Sequence, residues 1–200
     1  MAIKKSAILF IVIAIFLVVI FFLSIGEKNI DIGYINEGII QIQGFYVETK
    51  STEMNTFAKG TIFVKEVDGV VKHVQIVSLI EVDSNDWGGV AFYIPRNWHV
   101  SKVTSSYPKT QDKSSIRKNV ATWTTGDSDK EWRGWVEVGR NRDYRSTGGG
   151  TGIVVICLDL DENVNEPIDT FNFCVEVGSE QKDETKVLGT DHITFKIPCQ

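Results

Sequence analysis

The sequence predicts a mostly-β fold: an antiparallel β-sandwich preceded by one N-terminal transmembrane helix. Three observations carry this. Beyond residue 30 the hydrophobic residues recur with a period of two, and no stretch shows a convincing helical period. Turn-forming residues cut that pattern into short runs. Ahead of it, Ala7 to Leu23 contains no charged or polar side chain.

The apolar segment comes first. At about 1.5 Å per residue, a helix over Ala7 to Leu23 covers roughly 26 Å. Ser6, Ser24 and Ile25 bring it close to the roughly 30 Å of a bilayer's hydrocarbon layer. A backbone in lipid must satisfy its own hydrogen bonds, so the helical state follows despite the many β-branched residues. Lys4 and Lys5 precede the segment, whereas Glu27, Lys28 and Asp31 follow it. The positive-inside rule then predicts a cytoplasmic N-terminus at 1–6, an anchor at 7–25, a linker at 26–34 and an extracytoplasmic domain at 35–200. The expected localisation is the cell membrane, single-pass. A cleaved signal peptide is the competing reading, because Ser24-Ile25-Gly26 has the small-x-small form of a cleavage site. The apolar run is longer than such peptides use, which favours a retained anchor.

The strands follow in order. Ile40, Ile42 and Tyr46 alternate with Gln41 and Gln43. Residues 60–67 and 70–82 read as a hairpin turning at Asp68-Gly69, a strong two-residue turn signal. In its second strand Val74, Ile76, Ile80 and Val82 point one way, with His73, Gln75 and Glu81 opposite. Val90, Phe92 and Ile94 form a strand closed by Pro95, followed by 98–104, 132–138, 151–160, 170–178 and 190–197. That makes about nine strands of sandwich length. The polar stretch 105–131 has room for an edge strand around Val120 to Thr124. This layout resembles immunoglobulin-like or cohesin-like domains. No residue motif ties it to either family, so the resemblance implies a fold and no function.

Charge excludes one class of partner. The whole chain carries −5, and two of its cations precede the anchor, so the predicted exported part is more acidic still. Nucleic-acid binding needs a basic footprint that is missing here. The three cysteines, Cys157, Cys174 and Cys199, lie in the last quarter. If 153–160 and 171–177 pair with Leu160 opposite Phe171, then Cys157 faces Cys174. At a non-hydrogen-bonded position that puts their Cα atoms about 4.5 Å apart, within disulfide range. A Cys157–Cys174 bridge is therefore expected; Cys174–Cys199 and free thiols are the alternatives.

Several motifs are weighed against plain structural roles. Gly148-Gly149-Gly150-Thr151-Gly152 has the composition of a phosphate-cradling loop, but it precedes a strand and has no following lysine. A hairpin loop using glycine's access to positive φ is the expectation. Arg140, Arg142 and Arg145 offer a site for a carboxylate or phosphate on an envelope polymer. Glu137 and Asp143 stand equally near, which also fits a solvated loop of mixed charge. Asp159, Asp161, Asn163 and Asn165 match the start of a calcium loop, yet Val164 and Thr170 occupy the places of its glycine and bidentate glutamate. His73, His99 and His192 lack metal-ligand spacing. No cofactor or metal is implied. Neither a Gly-x-Ser-x-Gly elbow nor a His-Glu-x-x-His pair occurs, so a non-enzyme is expected.

Five tryptophans are the most informative feature. Trp132 and Trp135 have opposite parity, so in a regular strand one faces the core and the other does not. Trp123 sits among polar residues, and Trp123 and Trp135 are the expected exposed pair. Exposed tryptophans on a β-sandwich serve as platforms for sugars or as protein hot spots. The expected function is a membrane-anchored extracytoplasmic recognition module binding an envelope glycan or protein. Its expected ligand residues are Trp123, Trp135, Arg140, Arg142 and Arg145. The alternative is a non-catalytic accessory subunit of a membrane or cell-surface assembly. The topology is testable directly: with alkaline phosphatase, active only outside the cytoplasm, fused to the C-terminus, the chain gives enzyme activity, and replacing Lys4 and Lys5 by glutamate lowers it severalfold. Undiminished activity from that variant counts against the orientation.

Overall fold

Two five-stranded antiparallel sheets, the arrangement of a β-sandwich, make up the computed structural model. It describes residues 37–109, 119–125, 131–164 and 168–199. The predicted segment 7–25 and its flanks lie outside the described residues; among those described, no helix is long and apolar enough to cross a membrane.

The first sheet contains β1 (Glu37–Glu48), β2 (Phe57–Val67), β3 (Val70–Val82), β5 (Trp98–Ser105) and β8 (Gly150–Leu160), in the order β1-β2-β3-β8-β5. The second contains β4 (Val90–Pro95), β6 (Val120–Thr124), β7 (Trp132–Val138), β9 (Thr170–Lys182) and β10 (Thr185–Pro198), in the order β10-β9-β4-β7-β6. The expected strand inside 105–131 is β6, and it is an edge strand.

Alternation builds the core. Ile62 and Val64 of β2, Val74, Ile76 and Ile80 of β3, and Val154, Ile156 and Leu158 of β8 are buried. They belong to one hydrophobic cluster with Phe92 of β4, Val136 and Val138 of β7, and Phe171, Phe173, Val175 and Val177 of β9. Each such side chain contributes about 1.5–3 kcal/mol by leaving water. Aromatic contacts stitch the layers together: Phe45 of β1 lies 4.9 Å from Phe173, and Trp98 of β5 lies 5.4 Å from Phe171, centroid to centroid. The Asp68-Gly69 turn has positive φ at both residues, 52° and 76°, as the favoured two-residue hairpin requires. A second tight turn, with Asp183 at φ 55°, extends the β9–β10 hairpin beyond the sequence expectation.

Two expectations about pairing are corrected. Strand β8 lies between β3 and β5, and β9 lies between β10 and β4, so the Leu160–Phe171 register is not formed. Cys157 and Cys174 each alternate with the buried residues of their own strand, which turns them to the outer faces of opposite sheets. Both thiols are free, as is that of Cys199. The glycine-rich stretch is likewise no hairpin loop, since it connects β7 in one sheet to β8 in the other. Its glycines do use positive φ: 82°, 67° and 137° at Gly148, Gly149 and Gly150.

One polar node lies inside. Asp86, in the β3–β4 crossing, is fully buried with Thr56 and Ser179. Its carboxylate accepts hydrogen bonds from Thr56 Oγ1 at 2.6 Å, Ser179 Oγ at 2.5 Å and the Gly88 amide at 2.7 Å. Thr56 leads into β2 of the first sheet, whereas Ser179 belongs to β9 of the second, so one side chain joins both layers. A Cβ on Gly88 would come within 2.3 Å of the Gly178 carbonyl oxygen, so only glycine fits there. Replacing Asp86 by alanine orphans buried donors from both sheets. A loss of about 3 kcal/mol is expected in urea unfolding of Asp86→Ala, and a change within experimental error would show that the node does not hold the layers together.

Candidate functional site

The outer face of the second sheet carries two rows of side chains set by strand register. In the first row Tyr93 of β4 is the Cα partner of Trp135 of β7, and Trp135 is the partner of Trp123 of β6. On its other side Tyr93 pairs with Cys174 of β9. In the second row Ala91 lies between Glu137 of β7 and Glu176 of β9. These residues face outward because Phe92, Val136 and Val175, on the opposite parity, fill the core.

Ala91 contributes only a methyl group, which leaves a hollow between the two glutamates. Arg140, just past the end of β7, spans it. Its NH1 donates to Glu137 Oε1 at 3.0 Å, NH2 donates to Glu176 Oε1 at 2.7 Å, and Nε donates to the Gly88 carbonyl at 2.7 Å. Side-chain exposures of 6% for Arg140, 5% for Glu137 and 15% for Glu176 make this a buried charge network. Glu137 Oε1 also accepts from Trp135 Nε1 at 2.8 Å and from Arg142 NH2 at 2.9 Å. Tyr93 Oη donates to Glu176 Oε2 at 2.8 Å. Burial, followed by the Glu176 charge, holds the Tyr93 phenol well above its ordinary pKa, so it remains a donor. Arg142 completes the set by stacking on Trp123, 3.8 Å from the ring centroid.

A recess of about 470 Å³ opens here. Tyr93, Trp135, Tyr144 and Leu188 supply its apolar walls, and Glu137, Arg140 and Glu176 its polar floor. Trp132 packs against the Tyr93 ring at 5.7 Å, although strict alternation from Trp135 turns it inward. A register shift between Ile94 and Pro95 accounts for this, and neither tryptophan of β7 belongs to the core.

Of the residues expected from the sequence, Trp123, Trp135, Arg140 and Arg142 come together on this face. Trp123 is exposed, but Trp135 is only half-buried. Arg140 is not part of a solvated loop, and the chain's own carboxylates occupy both it and Arg142. Arg145 is exposed and has no ion pair among the described residues. The cysteines contribute no link, although the Cys174 thiol lies beside Tyr93, its pKa raised by burial.

Tyr93, Glu137, Tyr144, Glu176 and Leu188 escaped the sequence reading as site residues. The signal for Glu137 was its parity with Trp135; Glu176 gave none until β9 was known to lie beside β4. In the candidate calcium segment, Asp159 pairs with His73 Nδ1 at 2.8 Å. Asp161 pairs with His99 Nδ1 at 2.8 Å and with Arg133. Asn165 lies outside the described residues. No protein-family model matches this chain, and no curated protein matches it in sequence.

Removing Arg140 leaves two buried carboxylates facing each other across Ala91. Arg140→Met is expected to cost about 3–5 kcal/mol of stability in denaturant unfolding. Adding Glu137→Gln and Glu176→Gln to it recovers a large part of that loss, and failure of the triple variant to recover any would show that charge burial is not the cause.

Proposed function

We propose that this chain is a membrane-anchored, extracytoplasmic recognition module that binds a glycan on the outer face of its second sheet, without catalysis. The observation that carries the reading is the aromatic row Tyr93–Trp135–Trp123 beside a polar floor whose charges are already paired. A sugar needs both surfaces. The apolar face of its ring stacks on aromatic side chains, and its hydroxyls exchange bonds to water for bonds to fixed donors and acceptors. Glu137 Oε2 has no hydrogen bond among the described residues and remains available to a hydroxyl.

Both carboxylates of the recess are tied to Arg140, which removes the freedom that general acid–base work requires and supports a binding role. The anchor at 7–25, and the immunoglobulin-like or cohesin-like layout, are part of the same proposal.

A second reading, a non-catalytic accessory subunit of a surface assembly, is favoured by one observation. The outer face of the first sheet exposes Ile42, Leu79 and Ile153, at 59%, 42% and 45%.

The deciding measurement is retention of the full chain, in detergent, on envelope polysaccharide and on envelope membrane proteins. Retention on polysaccharide is expected, with at least a tenfold loss for Trp135→Ala, the scale of a buried aromatic anchor. Undiminished retention of that variant, or retention only by a defined protein, would overturn the glycan reading, the latter in favour of the assembly subunit.

A further inference from the structure

The register of the aromatic row says more than that sugars stack there. Tyr93, Trp135 and Trp123 are successive cross-strand partners on β4, β7 and β6. Neighbouring strands lie about 4.8 Å apart, so the row runs perpendicular to the strands for roughly 10 Å. An extended β-linked glycan advances by close to one strand spacing per sugar, so successive rings meet successive strands. The row ends on the edge strand: among the described residues β6 pairs with β7 alone.

The rings are held in place before any ligand arrives. Tyr93 is flanked by Trp132 at 5.7 Å and Trp135 at 6.3 Å, and its hydroxyl is tied to Glu176. Trp135 is tied through its indole N–H to Glu137. Trp123, on the edge strand, is held by the Arg142 guanidinium stacked on it. Such preorganisation lowers the ordering cost of binding.

Charge narrows the ligand. Two carboxylates, Glu137 and Glu176, face two guanidiniums, Arg140 and Arg142, and all four are paired. With each charge already compensated, the floor offers little net attraction to an acidic or basic sugar, whereas a neutral one forms hydrogen bonds to the paired groups as they stand.

Resting on the glycan reading above, we propose that Tyr93, Trp135 and Trp123 form a cross-strand platform for an extended, neutral, β-linked glycan of two or more sugars. Trp135 is the central stacking residue, Trp123 is the outer one through the ring face that Arg142 does not cover, and Arg142 is a positioning residue for Trp123. The test uses the full chain in detergent, titrated with cello-oligosaccharides and chito-oligosaccharides of one to six sugars.

In at least one series affinity is expected to rise tenfold or more from one sugar to three and then level off. Trp123→Ala abolishes the gain from the outer sugar and weakens the longer oligosaccharides more than the monosaccharide. Trp135→Ala weakens every length, and Arg142→Ala acts as a milder Trp123→Ala. Equal affinity for one sugar and six, or a Trp123→Ala loss equal at all lengths, overturns the platform while the glycan reading stands. Binding by neither series also overturns the platform; the glycan reading falls with it only if polysaccharide retention fails too.

Discussion

The recess depends on a path of hydrogen bonds that begins in the core at Asp86. That carboxylate collects Thr56 from the entry to β2 and Ser179 from β9, and it also binds the Gly88 amide. The carbonyl of the same Gly88 accepts from Arg140 Nε, and the Arg140 guanidinium divides itself between Glu137 and Glu176. From there the bonds reach Tyr93 and Trp135. The joint between the layers and the orientation of the surface aromatics are thus parts of one network, with Gly88 at its waist.

Burying this many charges is not the cheapest way to hold a sandwich together. Apolar side chains of similar volume often do as well or better, because each ion must first be stripped of water. A fully paired polar network does, however, fix direction as well as distance. Arg140 has to reach Glu137, Glu176 and the Gly88 carbonyl at once, and that requirement constrains the course of the chain after β7. A hydrophobic contact would accept many approaches and leave the recess walls without a defined spacing.

The fold was largely legible because its main determinant is local. Val74, Ile76, Ile80 and Val82 declare one face of β3 through period alone, and Asp68-Gly69 declares the hairpin. Which strands become neighbours is not local, and alternation alone does not decide it. Cys157 and Cys174 sit on strands with matching alternation, so a plausible register existed on paper. That register would have required β8 to pair with β9, whereas β8 fills the space between β3 and β5. Glu176 was invisible for the same reason: its meaning comes from Ala91 and Glu137, on strands far away in sequence. Trp123 and Trp135 stand out in the sequence because their chemistry is unusual wherever they stand, but of the two only Trp123 is exposed. The burial of Arg140 is not legible, because nothing in a run of charged residues tells which one is drawn inward.

The site lies on strands rather than loops, and the physical consequence is a fixed period. A loop places its side chains by its own conformation, whereas a sheet repeats its spacing at every strand and rotates it only by the shared twist. Three aromatics in cross-strand register therefore repeat at the strand spacing, the period on which the proposed glycan platform rests. The polar row lies one pleat away, about 7 Å along the strands, at a distance suited to groups projecting from the edge of a stacked ring. Ala91 makes this arrangement possible. Any larger side chain between Glu137 and Glu176 would fill the hollow that Arg140 occupies, separate the two carboxylates from their shared cation and remove the floor beside Tyr93 and Trp135.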